Sequence, residues 1–183
     1  MWKKIGAGLA ALLVVLLLVV ATRPSTYHVE RSTTISAPAE AVFAQIVDFK
    51  KWDAWSPWSK LDPNMKVTYD GTQGTVGASY AWSGNDDVGT GKMTMLAIDP
   101  GKRVDIKLEF QAPWESAAKN GFTLEPLGKD TKVTWLMDGN NDFMGKAMSL
   151  VMDMDKMIGN DFEKGLAQMK KVAEAAPDPA ATK

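Results

Sequence analysis

The chain has 183 residues, 45% of them hydrophobic and 23% charged, with a formal net charge of −1. That length builds one domain with a proper core and not two large ones. The absence of cysteine excludes disulfides, thiolate nucleophiles, iron–sulfur clusters and thiolate zinc sites, and the single histidine, His28, excludes a multi-histidine metal site.

Residues 5–21 form an unbroken run of 17 apolar or small residues, preceded by Lys3 and Lys4 and followed by Thr22-Arg23-Pro24. A signal-peptide core is about 7–15 residues and a spanning helix about 20, and Trp2 and Thr22 extend this run toward the second. Residues 1–22 are therefore expected to be a transmembrane anchor. The alternative is a signal segment cut near Val19 and Ala21. Lys3 and Lys4 favour a cytoplasmic amino terminus, so the domain is expected on the periplasmic side, or secreted after cleavage. Without residues 1–22 the remainder carries 19 basic against 22 acidic residues. A mildly acidic domain without basic clusters points away from nucleic acid, whose binding rests on phosphate neutralisation.

The next residues, 27–36, alternate as a strand: Val29, Arg31, Thr33 and Ile35 against His28, Glu30, Ser32 and Thr34. Ser36 or Ala37 then caps a helix with Pro38 in its first turn, and Val42, Phe43, Ile46 and Val47 form its buried stripe. A second short helix is expected over 48–55, stopped by Pro57. Six further strands follow, over 65–69, 78–83, 89–99, 103–110, 116–124 and 131–137. Gly, Pro, Asn and Asp turn signals separate them, which suits an antiparallel meander. Val104, Ile106, Leu108 and Phe110 share one face opposite Arg103, Asp105, Lys107 and Glu109, so the sheet needs cover on one side only.

One long helix over 143–175 supplies that cover. Its stripe is Val151, Asp155, Ile158, Phe162, Leu166 and Met169, with a bend expected near Gly159. Residues 176–183 read as a disordered tail. There are no internal repeats, and 27–175 is expected to be the one folded domain.

This order resembles the helix-grip fold of the START-related (SRPBCC) superfamily, and within it the polyketide cyclase/dehydrase-like group. The likeness is carried by Val29-Glu-Arg-Ser-Thr-Thr-Ile-Ser-Ala-Pro-Ala-Glu-Ala-Val-Phe43, Val47-Asp48 and Trp52-Asp-Ala-Trp-Ser-Pro-Trp58. It continues through Tyr69-Asp-Gly71, Gly74 to Gly84, Val88-Gly-Thr-Gly91 and Ile158 to Leu166. The resemblance implies an α+β fold. A curved seven-stranded antiparallel sheet wraps a long C-terminal helix, two short helices follow the first strand, and a pocket lies between sheet and helix. The superfamily joins enzymes, lipid carriers and regulators around that pocket without one shared catalytic set.

Candidate ligand-binding residues follow from the expected faces. Tyr80 and Trp82 share one strand face, Met93 and Met95 another, and Met148, Met152 and Phe162 are expected to face inward from the helix. Six of the 11 methionines fall between Met144 and Met169, which suits either a pocket for varied lipid-like guests or plain core filling. Trp52, Trp55 and Trp58 are read either as an entrance lid, with Trp55 and Trp58 touching the ligand, or as caps on the open end of the fold. Of the carboxylates, Asp86 and Asp87 sit in a turn. Only Asp155 falls on the apolar stripe, where burial would favour its acid form, with Tyr80 as a partner. Asp155 and Tyr80 are the only catalytic candidates, and no cofactor or metal is implied. The composition favours a container for a hydrophobic small molecule or lipid over a catalyst. A polyketide cyclase-type enzyme, or an envelope regulatory module using the sheet's outer face, are the alternatives.

Overall fold

The computed structural model describes residues 2–176. The expected tail therefore lies, beyond Ala176, outside the described residues. Helix α1 (Trp2–Ala21) stands apart: every described side chain on it is exposed except Val20, and Lys4–Ala21 is long and apolar enough to cross a membrane.

The sheet has seven antiparallel strands in the order β1 (Thr26–Ile35), β7 (Asp130–Asn140), β6 (Ser116–Leu127), β5 (Arg103–Ala112), β4 (Thr90–Asp99), β3 (Ser79–Ser83), β2 (Lys66–Asp70). All neighbours after β2 are joined by hairpins, and the first strand closes against the last. The alternation of β5 and β7 is realised in burial. Val104, Ile106, Leu108, Val133 and Trp135 face the core, whereas Lys107 and Glu109 pair with each other on the outer face at 2.6 Å.

Helix α2 (Ala39–Ile46) and a 3-10 helix (Phe49–Ala54) follow β1. The expected Ser36 or Ala37 cap is not made. Pro38 holds the cap position with extended backbone and no side-chain bond, while the Ser36 amide donates to Glu174 at 2.8 Å. Asp48 caps the 3-10 helix by accepting from the Lys50 amide at 2.9 Å.

The terminal helix is two helices. Helix α3 (Phe143–Met148) ends in a tight turn, and α4 (Met154–Ala175) starts anew. The cause is capping chemistry. Asp153 is extended (φ −91°, ψ 99°) and its carboxylate accepts from the Lys156 amide at 3.0 Å, so it begins a helix where apolar periodicity alone would continue one. At Gly159, where a bend is expected, the helical hydrogen-bonded run continues. Gly159 is buried inside an unbroken α4, where a side chain would overlap the guanidinium of Arg31.

Helix α4 lies along β1 over a core of stacked rings. Trp135 and Phe162 are parallel, with centroids 4.1 Å apart, and Trp55 meets Trp135 edge-on at 5.5 Å. The Trp135 indole donates to Asn120 Oδ1 at 2.7 Å, which satisfies two buried polar groups at once.

Candidate ligand cavity

A cavity of about 490 Å³ opens between the sheet, the segment around the 3-10 helix and the first turns of α4. Its walls follow from strand register. Tyr80 faces Tyr69 across β2–β3, and Met93 faces Leu108 across β4–β5; all four side chains line it. Trp82 is paired with Gly91, and the missing side chain there makes room for the indole, which a Cβ would strike. Phe49, Trp52 and Trp58 close one side, while Met154, Met157 and Ile158 come from α4 at helical spacing.

The aromatic groups present mainly ring surface. The indole of Trp82 donates to the Val88 carbonyl at 2.9 Å and that of Trp52 to the Ile46 carbonyl at 2.8 Å. Their polar handles are thus satisfied by the main chain. Tyr80 stacks on Trp82 (5.7 Å) and leans on Tyr69 (5.5 Å), making an aromatic ladder along β2 and β3. Burial, followed by the neighbouring Tyr69 and the Asp53 charge, pushes the Tyr80 phenol up to about 12. Burial, then the charges of Asp53 and Asp48, also raises that of Tyr69.

Among the described residues, the charged ones on the lining are all acids: Asp53, Asp87 and Asp161. Asp161 has a counterion outside the cavity, Lys164 at 2.9 Å. Among the described residues no three His, Asp or Glu side chains converge as a metal site would.

The expected ligand-binding residues separate into three groups. Trp58, Tyr80, Trp82 and Met93 lie on the cavity wall. Trp55, Met95 and Phe162 lie in the core, each at most 1% exposed. Met148 and Met152 are exposed and outside the cavity, which corrects their expected inward orientation. With the helix interrupted before Asp153, they fall on α3 and the turn after it.

Asp155 is also corrected. It is not buried on an apolar stripe but exposed on the first turn of α4, and both its oxygens accept from Arg31 at 3.0 Å. The Arg31 hydrogen bond holds its carboxyl below the usual range, and Asp155 is not on the cavity wall that Tyr80 lines. His28 is exposed as well, with Nδ1 2.7 Å from Asp138.

Several wall residues escaped sequence reasoning: Phe49, Tyr69, Leu108, Met154 and Met157, whereas Trp52 is read there only as part of the entrance-lid or capping cluster. The signals for some of these were present. Asp153 as a helix cap would have set Met154, Met157 and Ile158 on one face, and pairing 69 with 80 and 93 with 108 would have added Tyr69 and Leu108.

Residues 26–174 match the family model described as "Polyketide cyclase / dehydrase and lipid transport". No curated protein matches the chain. Solved structures with the same fold include protein CV1439 from Chromobacterium violaceum, 18% identical with a TM-score of 0.58, covering 84% of this chain and 99% of that one. The Aha1 dimer from Colwellia psychrerythraea is 16% identical with a TM-score of 0.59, over 81% of this chain and 97% of that one. Ara h 8.0201 is 14% identical with a TM-score of 0.53, over 81% and 95%.

Proposed function

Because the chain belongs to the polyketide cyclase/dehydrase and lipid transport family, we propose that it binds and carries a hydrophobic small molecule or lipid in the cavity beneath α4. The observation that supports this most is the wall itself. Tyr80, Trp82, Met93, Leu108 and Ile158 enclose about 490 Å³, within the range of small-molecule sites. Burying apolar surface there contributes about 25 cal/mol per Å² of ligand. Tyr80, Ser56 and Ser59 supply hydroxyls to orient it.

Helix α1 tethers the domain to a membrane, with Lys3 and Lys4 on the cytoplasmic side and the domain on the other. Its exposed apolar side chains require lipid rather than water for cover.

The competing enzymatic reading needs a group that moves protons at neutral pH. With its phenol at about 12, Tyr80 is protonated there and serves as a hydrogen-bond donor, not a base. Asp155 faces solvent elsewhere.

Native mass spectrometry of the full chain purified from its own membrane tests the proposal. A co-purifying hydrophobic molecule is expected, and Met93→Trp, which fills the cavity, should lose it while keeping the circular dichroism spectrum. Met148→Leu and Met152→Leu should retain it. An adduct that survives Met93→Trp would remove the cavity as its seat.

A further inference from the structure

We propose that the cavity selects its guest by charge, taking neutral or amine-bearing amphiphiles and turning away anionic ones such as free fatty acids. This rests on the ligand-binding reading above and narrows it to a chemical class. Among the described residues three carboxylates line the cavity, and no Lys, Arg or His does. Asp161 is compensated by Lys164, while Asp53 and Asp87 stand exposed on the rim. A fatty acid whose tail fills the apolar interior would have to leave its carboxylate among these like charges. Apolar walls on either side reduce the screening that water would otherwise supply. The charge of Asp53 reaches the wall, since it helps raise the phenols of both Tyr69 and Tyr80. An ammonium group at the same place is attracted both by the carboxylates and by the ring faces of Tyr80 and Trp82, whereas the Tyr69 ring already has the Lys50 ammonium 5.8 Å from its centroid.

The test is native mass spectrometry of the full chain after incubation with an equimolar mixture of dodecanol, dodecylamine and dodecanoate. Alcohol and amine adducts should outnumber dodecanoate adducts about tenfold, and Met93→Trp should abolish all three. In the double variant Asp53→Asn/Asp87→Asn the gap should narrow to about threefold or less. Equal occupancy by dodecanoate overturns charge selection and leaves the ligand-binding reading standing, as does a gap that the double variant does not narrow. No cavity-dependent adduct of any of the three overturns both.

Independently, the geometry points to a membrane-facing end of the domain. It rests on α1 spanning a bilayer. Strand register collects at one end of the sheet the start of β1 (Thr26 opposite Asn140), the start of β6 (Ala118 opposite Gly139) and the β5–β6 turn (Phe110 opposite Ser116). Helix α1 leaves from this end and is fastened there. Arg23 donates to the hydroxyl and carbonyl oxygens of Ser149, both at 3.1 Å, and the Asn141 amide donates to the Ser25 carbonyl at 2.8 Å. Around that junction the apolar side chains are uncovered: Val151 is 81% exposed, Trp114 75% and Phe143 55%.

The bilayer holding α1 is the occupant that fits this surface, because Arg23 keeps α3 within reach of the point where α1 leaves the lipid. Phe143 and Val151 then enter the interface, and Trp114 sits at headgroup level. Phe110, Ser116 and Asp87 rim the cavity at the same end. The exposed lining at that end therefore faces lipid, and a guest that enters there passes between bilayer and cavity without crossing bulk water.

The cysteine-free chain allows a direct test. Single variants Trp114→Cys, Val151→Cys, Leu12→Cys and Lys129→Cys carry an environment-sensitive fluorophore in the full chain, reconstituted in phosphatidylcholine vesicles with doxyl-labelled lipid. Lys129 lies at the opposite end of the sheet, where Leu127 faces Asp130. Quenching at 12 with quenching at 114 and 151 at least threefold above that at 129 is the expected result. Quenching at 12 with 114 and 151 as wet as 129 overturns the docking and leaves the anchor standing. No quenching at 12 overturns both.

Discussion

Arg31 grips Asp155 with two parallel hydrogen bonds, Nη1 to Oδ1 and Nη2 to Oδ2, each at 3.0 Å. The same guanidinium reaches Glu163 through Nε at 2.9 Å and lies over Gly159. One arginine on the inward-reading face of β1 thus ties two turns of α4 to the sheet, and the helix accepts it by omitting a side chain.

That arrangement inverts an ordinary expectation. In a helix interior Gly→Ala gains about 1 kcal/mol of propensity. Here a Cβ at 159 displaces the guanidinium, so Gly159→Ala should give no stabilisation or a net loss in the native chain. In an Arg31→Ala background the same change should stabilise by about 1 kcal/mol. Urea unfolding of the four chains in the cycle measures this, and a Gly159→Ala gain that is the same in both backgrounds would count against the clasp.

The clasp also sets an acid limit. The hydrogen bond from Arg31 holds the Asp155 carboxyl below its unfolded value of about 3.9. A depressed folded-state pKa contributes stability above the unfolded value and loses it as pH falls through the folded one. The stability difference between the native chain and Asp155→Asn should therefore be full at pH 7 and shrink below about pH 4. Ligand occupancy should be unchanged in Asp155→Asn, since the carboxylate lies outside the cavity.

At the other end of the scale, the Tyr80 phenol sits at about 12 against an ordinary 10. A raised folded-state value means that stability is complete below pH 10 and declines from there to about 12, as the unfolded chain ionises first. Ultraviolet-difference titration should show one tyrosine with this high value, absent in Tyr80→Phe. A guest that excludes water from the ring should raise it further.

The stacked core has a steep dependence on two side chains. Phe162→Ala removes the ring lying on Trp135 and should cost about 3–5 kcal/mol. Asn120→Leu strands the buried Trp135 indole N–H and should cost about 1–3 kcal/mol. Denaturant midpoints at constant slope would report both. A cost below about 0.5 kcal/mol in Asn120→Leu would mean that the indole finds another acceptor.

How much of this was legible beforehand depends on the range of the interaction concerned. Val104, Ile106 and Leu108 announced a strand with one wet face because a strand's period is two, and the structure buries all three. Tyr80, Trp82 and Met93 could be put near a cavity because strand faces and the family resemblance agree there, and Trp58 because it belongs to the tryptophan cluster read as an entrance lid. Met148, Met152 and Asp155 could not be placed, because their orientation depends on where α4 begins. One side-chain bond, Asp153 to the Lys156 amide, decides that against an apolar pattern that runs on without a break. Trp55 and Phe162 went to the core rather than the cavity because Trp135 lies between them and takes both rings.

By itself the sequence determined the order of the strands and of the two short helices after the first, the one-sided sheet, the apolar amino-terminal helix and the exclusion of cysteine and multi-histidine chemistry. These depend on composition and on periods of two and 3.6 residues, which are local. Only the tertiary structure decided which apolar side chains enclose space and which fill it, and that the lining carries, among the described residues, three carboxylates and no cation. It alone brought Arg31 to Asp155, across 124 positions of chain. Such pairings depend on register and close packing between distant segments, for which a single strand or helix carries no periodic signal.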